Sequence, residues 1–163
     1  MIIEPLGGSY TRNGFSCGVL ALDHYLREQA SQDVKRRVSN CFVAADRDVG
    51  LIAGYYTLAA ASVPIASLPE ELTKRLPRYP VLPAILIGRL AVDTRYQGQC
   101  VGSTLIVDAL RRCAQAAPAS FALIVDAKDD KAAAFYLKYG FTPFQGRPLS
   151  MFLSVATALK LFG

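Results

Sequence analysis

The sequence predicts a mixed α/β fold, a sheet with helices on both faces. Two patterns carry this reading. The C-terminal half alternates apolar runs with helical spacing and reads strand, helix, strand, helix, strand. The N-terminal half reads as a helix followed by a hairpin of two β-rich runs. Composition sets the frame: of 163 residues 52% are apolar and 19% charged, which supports a packed core and excludes disorder as the main state. The length fits a single domain over 1–163, with no internal repeat, low-complexity tract or linker to divide it.

Ile2 to Glu4 reads as a first strand, followed by a turn-rich stretch with Gly7-Gly8 and Asn13-Gly14. Leu22, Tyr25, Leu26, Gln29 and Ala30 keep helical spacing, and the helix runs towards Val38 with Lys35-Arg36-Arg37 near its end. Cys41 to Ala45 and Ile52 to Ala60 form the hairpin, turned at Asp46-Arg47-Asp48. The proline-rich segment Ser62 to Pro83 is an excursion with one short helix over Glu70 to Arg75. Ile85 to Val92 is nearly all apolar and predicts a strand buried on both faces.

Leu105, Ala109, Leu110, Cys113 and Ala117 share one stripe of a helix running from Ser103 to Ala117, while Asp108 and Arg112 make an i,i+4 pair. Phe121 to Val125 is the next buried strand. Asp129-Asp130 then opens a helix over Lys131 to Tyr139, stopped by Gly140 with Pro143 beyond. Ser150 to Val155 is the last strand.

Several function classes are excluded at this level. Met1 to Pro5 carries no secretory signal, and the apolar stretch Leu149 to Leu159 is too short to cross a bilayer, so a cytoplasmic location is expected. Cys17, Cys41, Cys100 and Cys113 lack metal-ligand spacing, so no metal is expected and the thiols are read as reduced and mostly packing. The only histidine, His24, reads as an ordinary helix residue, which argues against a Ser-His or Cys-His hydrolase. The net charge of +5 favours polyanionic partners.

The most informative segment is Arg95-Tyr96-Gln97-Gly98-Gln99-Cys100-Val101-Gly102, a small-residue turn between an apolar strand and a helix. The turn lets the backbone approach a ligand closely. The helix start aims unpaired N–H groups and a positive dipole end at an anion, so the segment is a candidate phosphate cradle. A plain strand-to-helix turn is the alternative reading of Gly98 and Gly102.

These residues resemble the GCN5-related N-acetyltransferase (GNAT) family. Arg95 and Gly98 follow its acetyl-CoA motif, whose last position is held here by Cys100, and Ala132 to Ala134, Phe135-Tyr136 and Gly140-Phe141 follow its second hallmark, in the right order around a strand. Phe15-Ser16-Cys17-Gly18, Leu22-Asp23, Tyr25-Leu26, Gly54-Tyr55-Tyr56 and Gly88-Arg89-Leu90-Ala91-Val92-Asp93 resemble more narrowly the acetyltransferase toxins of toxin–antitoxin modules, over nearly the whole chain. The resemblance implies a mostly antiparallel central sheet, acetyl-CoA as co-substrate and acetylation of the free amino group of aminoacyl-tRNA. It also implies a homodimer and a cognate antitoxin, usually of ribbon-helix-helix type.

The same resemblance assigns roles. Backbone N–H groups of Gln97, Gly98, Gln99, Cys100, Val101, Gly102 and Ser103 hold the pyrophosphate, and main-chain groups of Leu90, Ala91 and Val92 pair with pantetheine as an added strand. Phe135 walls the CoA arm or packs in the core. Tyr136 supplies a proton to the departing thiolate from a phenol of ordinary pKa ~10, the alternative being that it only packs beside Phe135. The attacking α-amine of an aminoacyl ester is weakly basic, so no strong protein base is required.

Lys35, Arg36, Arg37, Lys74, Arg75, Arg78 and Arg89 are the candidate tRNA contacts, with solvated surface charge as the plain alternative. Arg89 stands out as an arginine beside an apolar strand. Cys100 departs from the family's Gly or Ala. An ordinary backbone conformation is expected there, since a left-handed one would cost roughly 1–2 kcal/mol. Acetylation of a small amine or a protein N-terminus, and a non-catalytic acyl-CoA-binding module, are the competing functions.

Overall fold

In a computed structural model the described residues are 1–162. Seven strands, β1 (Ile2–Pro5), β2 (Asn40–Asp46), β3 (Leu51–Pro64), β4 (Val81–Val92), β5 (Ala122–Asp126), β6 (Thr142–Phe144) and β7 (Arg147–Ser154), form a mostly antiparallel sheet. Their order is β1-β2-β3-β4-β5-β7-β6, and β4 and β5 are parallel. This is the mixed α/β class that the sequence predicts. Contacts group the chain into two compact units, Met1–Ala59 with Gly88–Ala109, and Ala60–Ile87 with the residues from Leu110 onward.

In the first unit, β1 and β3 pair antiparallel with β2, whose residues Cys41 to Ala45 are all buried. Their apolar face is covered by a helical stretch made of α1 (Leu20–His24), a π-helical turn (Tyr25–Gln29) and α2 (Ala30–Lys35). The core holds Phe15, Tyr25, Leu26, Ala30, Cys41, Val43, Ile52, Tyr55 and Ala91. The π turn is a departure from the regular helix of the sequence reading. Ala30 N–H bonds to the Tyr25 carbonyl, five residues back, so Tyr25 and Ala30 both face inward and Gln29 is exposed. His24 lies on α1 and is exposed. The helix stops at Lys35, short of Val38, because Arg37 turns left-handed at φ 60°. Arg37 N–H and Val38 N–H cap the Val34 and Asp33 carbonyls.

Gly54 explains how the long helix α4 (Val101–Gln115) sits so close to the sheet. A Cβ there would lie 2.9 Å from the Ala91 carbonyl oxygen, 3.1 Å from Leu105 and 3.2 Å from Val101. Only glycine lets the first turns of α4 settle on β3, and with them the turn that precedes α4.

In the second unit, Ala84–Ile87 of β4 pairs with Ala122–Val125 of β5, β5 pairs with β7, and β6 closes a hairpin on β7. Val63, Leu68, Leu82, Ala84, Ala122, Ile124, Phe144 and Phe152 form its core. The short helix expected in the proline-rich excursion is α3 (Glu70–Thr73), and α5 (Asp130–Leu137) lies close to its expected place.

Three readings are corrected here. β4 is not buried throughout: Leu82, Ala84, Ile87 and Ala91 are buried while Val81, Pro83 and Gly88 are exposed, because Leu82 and Ala84 join one core cluster and Ala91 another. Ala117 is exposed beyond the end of α4 at Gln115. The apolar tail is a strand only to Ser154, after which α6 (Val155–Phe162) begins. Ser154 Oγ accepts Thr157 N–H at 3.1 Å as an N-cap, a signal present in the sequence.

Candidate active site

The first unit carries the candidate phosphate cradle, and side chains tie it to the protein. Asp93 ends β4, is fully buried, and has its carboxylate occupied. It accepts Arg95 N–H, Arg95 Nε–H and Arg95 Nη2–H, each at 2.9 Å, and Ser16 N–H at 3.1 Å. Burial raises the Asp93 pKa, but the Arg95 and Ser16 donors outweigh it and leave the carboxyl below its usual range. Arg95, the first residue of the cradle motif, thus spends its fork on the protein. Gln97 Nε2 donates to the carbonyls of Val92 at 3.0 Å and Cys17 at 3.2 Å, and Gln99 Nε2 donates to the Arg95 carbonyl at 3.3 Å.

The turn itself needs two left-handed residues, Gly98 at φ 79° and Cys100 at φ 63°. This corrects the expectation for Cys100, which sits in the strained conformation rather than an ordinary one. The chain reverses sharply here to deliver α4, and a residue without Cβ would be its natural occupant. Thr104 N–H and Oγ–H both bind the Cys100 carbonyl, at 3.1 and 2.9 Å, fixing that geometry. α4 starts at Val101, so the N–H groups of its first turn precede any intrahelical carbonyl and face outward with the positive dipole end. Gln97, Gly98, Gln99 and Cys100 are exposed. The arrangement fits a pyrophosphate held by backbone rather than by side chains.

The second unit carries Tyr136 on α5. Asp129 caps that helix, its Oδ1 accepting Ala132 N–H at 2.8 Å, and Gly140 ends it at φ 92°. Tyr136 is 8% exposed and lies edge-to-face with Phe135 at 5.3 Å and Phe141 at 5.5 Å. Burial pushes its phenol up to about 12. Among the described residues no side-chain or backbone group takes its hydroxyl. Phe135 is half-buried and packs against Tyr136 and Tyr139.

The basic residues divide by exposure. Lys35, Arg36 and Arg37 stand exposed at the end of the first unit's helical stretch, and Lys74, Arg75 and Arg78 are exposed in the second unit's excursion. Arg89 is different, half-buried with its guanidinium carbon 3.6 Å from the centroid of the Tyr25 ring. Tyr25 and Asp93 as supporting residues were not singled out by sequence reasoning. The acid two residues before Arg95, right after an apolar strand, was the available signal.

Residues 80–150 match the family model described as an acetyltransferase (GNAT) domain. The chain is 41% identical over 151 residues to the tRNA-acetylating toxin of Mycobacterium tuberculosis (strain ATCC 25618 / H37Rv), covering 91% of this chain and 89% of the relative. It is 31% identical over 172 residues to the probable toxin TacT of Sinorhizobium fredii (strain NBRC 101917 / NGR234), covering 99% and 95%. The chain belongs to the GNAT acetyltransferase family. Among solved structures, this GNAT chain superposes on AtaT complexed with acetyl-methionyl-tRNAfMet with a TM-score of 0.92, 29% identity and 99% of both chains covered. AtaT is also solved as AtaTR bound with AcCoA, at TM-score 0.85, and bound to the C-terminus of the antitoxin AtaR, at 0.84. The turn before α4 and the helix that carries Tyr136 are the two segments of this acetyltransferase that carry the family resemblance in its sequence. Among the described residues no helix is long and apolar enough to cross a membrane, and no group of three His, Cys, Asp or Glu side chains is placed to hold a metal ion.

Proposed function

We propose that this protein is the toxin of a toxin–antitoxin module that transfers the acetyl group of acetyl-CoA to the α-amino group of aminoacyl-tRNA, blocking translation. The observation that carries it is the 41% identity to a tRNA-acetylating toxin along 91% of the chain, in a protein that keeps both the cradle and the buried phenol.

Acetyl-CoA supplies an activated thioester. Backbone N–H groups from Gln97 to Ser103 hold its pyrophosphate, and the main chain of Leu90 to Val92 pairs with its pantetheine amides. Tyr136 stays protonated at neutral pH and donates to sulfur as the C–S bond breaks. A phenol at about 12 giving its proton outright to a thiolate of pKa ~8.5 goes uphill by roughly 5 kcal/mol, so proton transfer has to be coupled to loss of the proton carried by the newly bonded amine nitrogen. Its hydrogen bond to the developing thiolate is the stabilising contribution.

Lys35, Arg36, Arg37, Arg75, Arg78 and Arg89 supply phosphate contacts to tRNA. The protein works in the cytoplasm as a homodimer, held in check by a cognate antitoxin of the ribbon-helix-helix type. Solved AtaT with tRNA and with AtaR supports the tRNA and antitoxin parts of this reading.

The test is mass spectrometry of tRNA-linked amino acids after incubation with labelled acetyl-CoA. Acetylated aminoacyl-tRNA is expected. Acetylation of free amines or peptides alone would replace this reading with that of a small-amine or N-terminal acetyltransferase, and acetyl-CoA binding without turnover with that of a binding module.

A further inference from the structure

Arg89 is the one arginine of the first unit that is both half-buried and unspent. Arg95 is bound to Asp93, Arg12 donates to Ser31 Oγ at 2.7 Å and to the Gly7 carbonyl, and Arg27 donates to the Phe15 carbonyl. Among the described residues no acceptor takes an N–H of the Arg89 guanidinium, and no carboxylate pairs with it. Its N–H donors are not buried away from solvent, so they are open to a ligand's acceptors.

The platform beneath Arg89 is over-determined. Tyr25 stacks on Tyr55 with centroids 6.3 Å apart, its hydroxyl donates to Asp33 Oδ2 at 2.8 Å, and Tyr55 hydroxyl donates to the Leu22 carbonyl at 2.7 Å. Tyr25 opens the π-helical turn, a distortion that recurs at functional sites. The backbone N–H of Arg89 is also committed, donating to Thr57 Oγ1 at 3.1 Å, so the side chain supplies the donors open to a ligand. Arg89 precedes Leu90 to Val92, the strand segment assigned to pantetheine, and shares its sheet face with Ala91 and the Tyr25 core.

We infer that Arg89, stacked on Tyr25, binds the phosphodiester of the acceptor's terminal nucleotide and thereby positions the aminoacyl amine for attack. This rests on the reading of aminoacyl-tRNA as the acceptor. A guanidinium presents paired N–H donors that match two phosphate oxygens, whereas the aminoacyl end offers a single neutral carbonyl, and the ring face under Arg89 leaves that fork free to be used edge-on.

The experiment compares wild type, Arg89→Ala and Arg89→Lys on two acceptors, aminoacyl-tRNA and an aminoacyl-adenosine that lacks the phosphate. Arg89→Ala is expected to lower kcat/KM on aminoacyl-tRNA roughly 10- to 100-fold while leaving the aminoacyl-adenosine rate within about twofold. Arg89→Lys, which keeps the charge and the fold but not the fork, is expected to fall between. The slope of log(kcat/KM) against log[salt] on aminoacyl-tRNA is expected to flatten by about 1 in Arg89→Ala. Equal losses on both acceptors, or an unchanged salt slope, would overturn the phosphate assignment alone and leave Arg89 a support for Tyr25. A wild-type enzyme inactive on aminoacyl-tRNA would overturn the proposed function, and this inference with it.

Discussion

The cradle before α4 and the helix that carries Tyr136 solve opposite problems. In the proposed reaction the cradle acts through main-chain N–H groups, and its side chains serve as internal ties: Asp93 to Arg95, Gln97 to Val92 and Cys17, Gln99 to Arg95. The Tyr136 helix would act there through one side chain, and its backbone is an ordinary capped helix from Asp129 to Gly140. Exposure follows the same division, with the cradle turn open to solvent and Tyr136 buried. A site made of backbone tolerates substitution at the cost of some shape, whereas a site made of one phenol fails when a single atom is removed.

The sharpest way to break this contrast is Tyr136→Phe. Phe keeps the edge-to-face packing on Phe135 and Phe141, and no protein group loses a partner, so the fold and acetyl-CoA affinity are expected to be unchanged. The acetyl-transfer rate is expected to fall by about 10²–10⁴-fold, the usual contribution of a positioned acid. Single-turnover kinetics with labelled acetyl-CoA measures it, and retention of more than a tenth of the wild-type rate would reduce Tyr136 to a packing residue. Because burial holds the phenol at about 12, wild-type activity is expected to show no decline from its ionisation up to pH 9.

The cradle's internal ties predict a smaller effect, on stability first. Asp93→Ala leaves the Ser16 N–H and both the main-chain and side-chain donors of Arg95 without their acceptor, a loss of roughly 1–3 kcal/mol. Denaturant unfolding measures it, with weaker acetyl-CoA binding as the accompanying result. The pH dependence has a fixed sign. The folded carboxyl lies below its unfolded value near ~3.9, so its stabilisation is present above that value and fades as pH falls through the folded pKa. Asp93→Asn should therefore flatten the acid limb of the stability curve, and an unchanged acid limb would show that Asp93 is not a principal determinant of it.

Elements with a clear period were legible before the structure. The β2/β3 hairpin, the strand into α4, the α5 helix with its Asp129 cap and Gly140 stop all lie within a few residues of expectation. The π turn at Tyr25 was not legible, because Leu22, Tyr25, Leu26 and Ala30 satisfy an α-helical stripe as well as a π-shifted one. α6 was hidden because Leu149 to Leu159 is mostly apolar, and Ser154 marks the change from strand to helix. Within the candidate site, residue types showed where chemistry sits but not how it is held. That Asp93 also ties the Ser16 N–H, and that Arg89 rests on the Tyr25 ring, depends on contacts between residues distant in sequence.

Cys100 gives the finest test of the division between backbone site and side-chain site. Its left-handed φ of 63° costs a Cβ-bearing residue roughly 1–2 kcal/mol, while glycine gives back roughly 0.5–1 kcal/mol through the freer unfolded chain. The net expectation for Cys100→Gly is a gain of about 0.5–1 kcal/mol in unfolding free energy, with a modest tightening of acetyl-CoA binding as the turn relaxes. The Cys100 thiol is free and exposed and makes none of the cradle's ties, so the acetyl-transfer rate at saturating acetyl-CoA should not change. Denaturant melts and isothermal titration of acetyl-CoA check the two halves of this. A Cys100→Gly protein that loses its transfer rate at saturation would mean that the thiol takes part in the chemistry, and the cradle would then no longer be a site made of backbone alone.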